Sequence, residues 1–135
     1  MPDYFHVNLS QGELMNVSSL GLAHLGDAVF EVLVRSWVCT HGTAKIKDLH
    51  KQTVRYVTAP TQAQLVEKIL PVLTEEEADV FRRGRNAAPH SIAKSATRSQ
   101  YQTATALEAL FGWLWLQNRS ERINELFVTM MEWEA

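Results

Sequence analysis

Cysteine is almost absent from this sequence of 135 residues, which contains only Cys39. One cysteine can form neither an internal disulfide nor a cysteine cluster for zinc, so the composition favours a reducing compartment. Long hydrophobic runs are missing as well, because the most apolar stretch, 104–116, is too short to cross a bilayer and contains Glu108. The polar N-terminal residues resemble neither a signal peptide nor a transit peptide. We therefore expect a cytoplasmic protein with no membrane span.

Strand signals are also missing, since the sequence has no alternating apolar pattern and no Asn-Gly or Asp-Gly hairpin turn. With 46% hydrophobic and 21% charged residues, the composition is that of one globular domain with a core of its own. We expect an all-α fold, in which an irregular N-terminal arm over residues 1–17 precedes a single domain over 18–135. Cys39, in an apolar helix, is predicted to lie in the core.

Capping residues and helix breakers predict where the helices begin and end. Ser18 or Ser19 is a plausible cap for a first long helix, and Thr74-Glu75-Glu76-Glu77 is a capping box. The predicted helices cover residues 19–38, 45–57, 61–70, 75–84, 98–118 and 120–133, with Thr43 capping the second of them. Residues 85–97, which contain Pro89, are predicted to form a loop.

Glu108 is an ionisable residue in an apolar helix. Its helical neighbours are small, hydroxylated or aromatic, namely Tyr101, Ala104, Thr105, Phe111, Gly112 and Trp115. Burying an unpaired carboxylate is unfavourable, so this side chain should bind a metal ion, have a raised pKa or pair with a Lys or Arg from another helix. The residues alone leave these alternatives open.

Asp27 lies on the polar stripe of the first long helix, together with His24, Glu31 and Arg35. Such a stripe is usually a solvent-exposed face. Gly26 before it is unexpected, since a glycine inside a helix costs about 1 kcal/mol relative to alanine. If Gly26 faces Gly112, two helices cross closely and bring Asp27 and Glu108 together as oxygen ligands suited to Mg²⁺ or Mn²⁺.

Residues 22–31, Leu-Ala-His-Leu-Gly-Asp-Ala-Val-Phe-Glu, resemble the signature helix of the ribonuclease III catalytic domain. Residues 106–112, Ala-Leu-Glu-Ala-Leu-Phe-Gly, resemble its second acidic motif. Further segments are similar to the Mini-ribonuclease III branch, which consists of the catalytic domain alone: 48–50, 56–59, 62–63, 82–87, 94–101 and 104–105. The larger ribonuclease III pattern has acids where this chain has Ala23 and Thr105, and the Mini-ribonuclease III pattern shares this reduction.

The resemblance implies a homodimeric, ribonuclease III-like helical bundle with no double-stranded RNA-binding domain. It implies a Mg²⁺-dependent endoribonuclease, in which Mn²⁺ can substitute, that cleaves double-stranded RNA by hydrolysis. Asp27 and Glu108 carry over as the catalytic, metal-binding residues. His24, Glu31, Tyr101 and Thr105 are candidates for supporting them. In the family, the natural task is maturation of the precursor of 23S (large-subunit) ribosomal RNA, and a ribosomal protein is a candidate helper.

Charge is distributed unevenly, although the net charge is only -2. Residues 81–98 include five basic side chains and no acid. Within and beside this segment we predict contacts with the RNA backbone from Arg83, Arg85, Asn86, Lys94 and Arg98. Each arginine could instead pair with the acids at 75–77.

Aromatic side chains exceed what a small helical core readily absorbs, which agrees with a homodimer interface. The residues concerned are Phe30, Trp37, Trp113, Trp115, Phe127 and Trp133. Two alternatives to an enzyme remain: a non-catalytic RNA-binding or ribosome-assembly module with this fold, and a helical protein-interaction domain whose basic segments pair with its own acids.

Overall fold

A computed structural model describes residues 1–41, 45–89 and 96–131. Within these ranges the regular structure is entirely helical, and the predicted all-α fold is confirmed. The helices are α1 (Gln11–Met15), α2 (Ser19–His41), α3 (Ile46–Val57), α4 (Ala59–Val66), α5 (Glu75–Ala87), α6 (Arg98–Leu116) and α7 (Ser120–Met131), with a 3₁₀ turn at Leu70–Val72. None of the helices in the described ranges is long and apolar enough to cross a membrane.

Side-chain caps explain where several helices begin. The Ser18 hydroxyl accepts a hydrogen bond from the Gly21 backbone N–H at 3.0 Å, at the start of α2. Capping boxes start α1, α5 and α6, with Ser10, Thr74 and Thr97 as the cap residues. Each satisfies backbone N–H groups that a first helical turn leaves unpaired. Thr43, predicted to cap α3, lies outside the described residues.

Several predicted boundaries are wrong, and three of the differences have a clear physical reason. The N-terminal arm contains α1, which a capping box starts and the burial of Leu14 anchors. α4 begins at Ala59 rather than residue 61, because Pro60 is tolerated in a first turn, where its missing N–H is not needed. α5 continues past Gly84 to Ala87, so that part of the predicted loop is helical.

Helix α6 is the centre of the bundle. It packs against α2, α4, α5 and α7, while α3 packs on α2 and α4. Phe30 and Phe111, both fully buried, meet edge to face with ring centroids 5.8 Å apart. The Phe127 ring packs on Phe30 from the other side at 6.0 Å.

The core absorbs most of the aromatic side chains that the composition marks as a surplus. Phe30 and Phe127 belong to it, and Trp37, Trp113 and Trp115 pack partly buried against it. Trp133 lies outside the described residues. The aromatic composition therefore gives no indication of an interface. Cys39 was also predicted wrongly, because it is exposed on α2 rather than buried in the core.

An ion pair joins α5 to α7. The Glu77 side chain is fully buried, and its carboxylate accepts hydrogen bonds of 2.8 Å from both Nε and Nη2 of Arg122. The same carboxylate accepts from the Thr74 backbone N–H, and Arg122 also donates to the Val72 carbonyl oxygen. Arg122 holds the pKa of Glu77 below its ordinary value. The pair therefore links α7 to α5 through a buried carboxylate.

Candidate active site

Helices α2 and α6 cross with their backbones in contact. A Cβ atom on Gly26 would overlap the Glu108 carbonyl oxygen and would lie 2.8 Å from the Gly112 nitrogen. A Cβ atom on Gly112 would likewise overlap the Leu22 carbonyl oxygen. Only glycine fits at both positions, which is the close crossing that the spacing of the two glycines suggested.

This crossing places Asp27 against Glu108. The two carboxyl groups come from different helices and lie close enough to interact. Asp27 is exposed, whereas Glu108 is mostly enclosed by the bundle. Burial, and then the hydrogen bond and negative charge of Asp27, raise the pKa of Glu108 to about 9. The site is therefore open on the Asp27 side and closed behind Glu108.

Gln62 is a third side chain at this site, to which the motifs in the sequence assign no role. It lies on α4, is 1% exposed, and its amide is close enough to Glu108 to lower the pKa of that carboxyl group slightly. The Gln62 Nε2 atom nevertheless has no hydrogen-bond partner of regular geometry. A polar residue on the buried face of α4, beside Leu65 and Val66, is the sequence signal that could have identified it.

A divalent cation fits this pair of residues. Without a cation, a buried carboxyl group next to Asp27 retains its proton near neutral pH, as the raised pKa of Glu108 indicates. Carboxylate oxygens are also the donors that Mg²⁺ and Mn²⁺ prefer. No group of three His, Cys, Asp or Glu side chains in the described ranges could hold an ion. Two carboxylates are therefore what these ranges offer, and water and substrate oxygens would complete the coordination.

The four candidate supporting residues differ in what they contact. The Glu31 carboxylate pairs with Arg35 at 3.0 Å on its own helix. The Thr105 hydroxyl is buried and donates to the Tyr101 carbonyl oxygen at 2.9 Å, so it is engaged within α6. Tyr101 itself is half-buried, and His24 is exposed one turn before Asp27. Glu31 and Thr105 therefore make these interactions with residues other than Glu108.

The basic residues of α5 lie beside the site. A Cβ atom on Gly84 would come within 2.8 Å of the Ala109 Cβ, so the end of α5 packs on the part of α6 that carries Glu108. Arg85 and Asn86 follow directly and are exposed. They belong to the last turn of a helix rather than to the predicted loop.

The other predicted RNA contacts are more widely distributed. Arg83 is exposed and pairs with Asp79 at 2.7 Å, not with the acids at 75–77 that we considered as its partners. Such an exposed pair is weak, so it leaves the arginine available to a phosphate. Arg98 begins α6, about 15 Å along the helix from Glu108 at 1.5 Å per residue. Lys94 lies outside the described residues.

Comparison with known proteins places the chain in a family. The model of the Ribonuclease III domain matches residues 20–119, which include both glycines and both carboxylates. The chain belongs to the ribonuclease III family. It is 43% identical to the Mini-ribonuclease 3 of Symbiobacterium thermophilum, over 83% of this chain and 86% of the relative. It is 40% identical to the Mini-ribonuclease 3 of Enterococcus faecalis, over 82% of this chain and 85% of the relative.

A solved structure agrees with this assignment. A crystal structure of a protein from Fusobacterium nucleatum superposes with a TM-score of 0.81, covers 89% of this chain and 96% of that chain, and is 32% identical in sequence. The predicted family, fold and enzyme class are confirmed, and the chain is an endoribonuclease that acts on double-stranded RNA. Members of the family generally depend on divalent metal ions and usually act as dimers.

Proposed function

We propose that this chain cleaves double-stranded RNA with Mg²⁺ held by Asp27 and Glu108. The observation that supports this assignment is the contact between the two carboxyl groups across the glycine crossing. A buried ionised carboxylate beside a second negative charge is unfavourable unless a cation neutralises the two. The pair therefore makes chemical sense as a cation site.

The chain's own residues would bind and orient the reactants. A bound Mg²⁺ would supply positive charge that lowers the pKa of water and stabilises negative charge on the phosphoryl oxygens. Glu108, which the bundle mostly encloses, would hold the ion from the closed side of the site. Asp27, which is exposed, would hold it from the side open to solvent and substrate. No nucleophilic side chain is required.

Recognition of the duplex would come mainly from backbone contacts. The minor groove of A-form RNA is shallow and displays phosphates and 2'-hydroxyls, so a duplex nuclease reads shape more than sequence. We assign these contacts to Arg83, Arg85, Asn86, Lys94 and Arg98, of which Arg85 and Asn86 directly follow Gly84, where α5 packs on the helix that carries Glu108. A homodimer would place one site on each strand. Sedimentation as a monomer at working concentration would contradict that arrangement.

The natural substrate that we propose is the precursor of 23S ribosomal RNA, cut in the cytoplasm at the stem formed by its ends. The family membership of the chain supports this choice, and a ribosomal protein is a candidate helper. A test is cleavage of a labelled transcript of that stem, compared with a duplex of the same length and unrelated sequence. Equal rates on both would show that the chain does not itself select the stem.

The catalytic assignment is tested with a labelled RNA duplex in Mg²⁺ at low salt. We expect Asp27→Asn and Glu108→Gln to abolish cleavage, as EDTA does, because each removes one of two protein ligands. Both variants should still bind the duplex in EDTA. Glu67→Gln, which changes an exposed acid at the end of α4, is the matched control and should cleave normally. Cleavage at the parent rate by either site variant would refute the assignment.

A further inference from the structure

We propose that Gln62 is a positioning residue, whose buried amide group orients the Glu108 carboxylate for a divalent cation. The inference rests on the metal site proposed above. It adds a third helix, α4, to a site that the family motifs place on α2 and α6 alone.

Burial without a partner is the first observation behind this proposal. Gln62 is 1% exposed, yet its Nε2 atom forms no hydrogen bond of regular geometry. An unsatisfied buried donor costs about 1–3 kcal/mol of stability. A methionine at this position would fill the same space without that penalty, so the requirements of the core do not explain a glutamine here.

The environment of Glu108 is the second observation. Asp27 and Gln62 are the side chains of the described ranges that lie within reach of its carboxyl group, and Asp27 contributes negative charge. Gln62 is the one of the two that carries N–H donors. The nearby Thr105 hydroxyl is already used, because it donates to the Tyr101 carbonyl oxygen. Gln62 is thus the side chain placed to donate a hydrogen bond to Glu108.

A donor at this position becomes useful when the carboxylate binds a cation. A hydrogen bond from an amide to an ionised carboxylate is stronger than one to a neutral group. Donation to one oxygen also fixes the rotation of the carboxylate. Removal of an outer partner of this kind typically weakens metal binding by 10–100-fold. The effect should be large here, since the described part of the chain brings two carboxylates to the site.

The test measures metal binding without RNA or catalysis. The Mn²⁺ affinity of the full chain is determined by titration with electron paramagnetic resonance detection. The proteins compared are the parent, Gln62→Met, Gln62→Leu, Glu108→Gln and Gln64→Met. Gln64→Met is the control, because it changes an exposed residue of the same helix. We expect Gln62→Met and Gln62→Leu to bind Mn²⁺ about 10–100-fold more weakly. Their midpoints of thermal unfolding in EDTA should equal or exceed the parent value, and their affinity for duplex RNA in EDTA should not change. Gln64→Met should match the parent throughout.

Three results would overturn the proposal. Unchanged Mn²⁺ affinity in both Gln62 variants would show that the amide does not position Glu108. Weaker binding accompanied by lower thermal stability in EDTA in both variants would indicate a structural role only. Parent-like Mn²⁺ binding by Glu108→Gln would refute the metal site itself, and with it the proposed catalytic assignment. If Glu108→Gln loses Mn²⁺ and the Gln62 variants do not, only the role of Gln62 fails.

Discussion

The substitution Gly26→Ala tests whether the backbone contact between α2 and α6 holds the fold together. The new Cβ atom would overlap the Glu108 carbonyl oxygen and lie 2.5 Å from the carbonyl carbon. These are backbone atoms of the central helix, so no side-chain rotation relieves the clash. The two helices have to move apart, and the carboxyl groups of Asp27 and Glu108 separate with them.

The size of the effect follows from two opposing contributions. Overpacking a core typically costs about 1–3 kcal/mol, and a clash between backbones belongs at the upper end or above it. Replacement of a glycine inside a helix by alanine returns about 1 kcal/mol through helix propensity. We therefore expect Gly26→Ala to lower the free energy of unfolding by at least about 2 kcal/mol, which corresponds to a decrease of roughly 8 °C in the unfolding midpoint.

The assay is urea denaturation followed by tryptophan fluorescence, at one protein concentration because association changes apparent stability. Gly84→Ala, whose Cβ would meet the Ala109 Cβ at 2.8 Å, should be destabilised less, since its neighbour there is a side-chain atom. Gly12→Ala is the control, because nothing lies closer than 4.0 Å to its added atom. An unfolding free energy of Gly26→Ala within about 0.5 kcal/mol of the parent would refute the reasoning, since surface substitutions already vary that much.

Three further predictions concern charged side chains. Glu77→Gln should lower the free energy of unfolding by about 3 kcal/mol in urea denaturation, because it leaves Arg122 without its buried counter-ion. Because the pKa of Glu77 is lowered from 4.5, the stabilisation from this pair is present above pH 4.5 and is lost as the pH falls below 4.5. Acid denaturation of the parent and of Glu77→Gln will show this difference. The pKa of Glu108 is raised from 4.5 to about 9, so in EDTA the parent should lose thermal stability as the pH rises towards 9, and Glu108→Gln should show a flatter profile. Arg85→Ala should weaken RNA binding and reduce the slope of log affinity against log salt concentration by about one. Arg119→Ala, beyond the other end of α6, is the control and should change neither quantity. Equal effects of the two substitutions would contradict the predicted contact surface.

Local signals in the sequence predicted the parts of the fold that local interactions determine. Ser18 and Thr74 cap their helices because a side-chain oxygen satisfies backbone N–H groups within one turn. The pairing of Gly26 with Gly112 was also accessible, since two unfavourable glycines inside long helices suggest a common cause. Asp27 and Glu108 then come together as neighbours of those glycines.

Features that depend on packing between distant segments were not predictable in the same way. Gly84 carries the local signal of a helix end, but it allows α5 to approach Ala109 of α6, and the helix continues. Glu77 looks like a solvated member of an acidic run, yet it is buried by an arginine 45 residues later. The buried face of α4 marks Gln62 as an unusual polar residue, but it does not reveal that Gln62 lies near Glu108 of α6.

The glycine crossing also affects how variation among related chains should be interpreted. Gly26 and Gly112 are required for the helices to pack, whether or not a reaction takes place between them. Descendants that lost nuclease activity would therefore keep both glycines, while selection would no longer maintain Asp27, Glu108 and Gln62. We therefore expect inactive descendants to keep the two glycines and to vary at the three polar side chains of the proposed site.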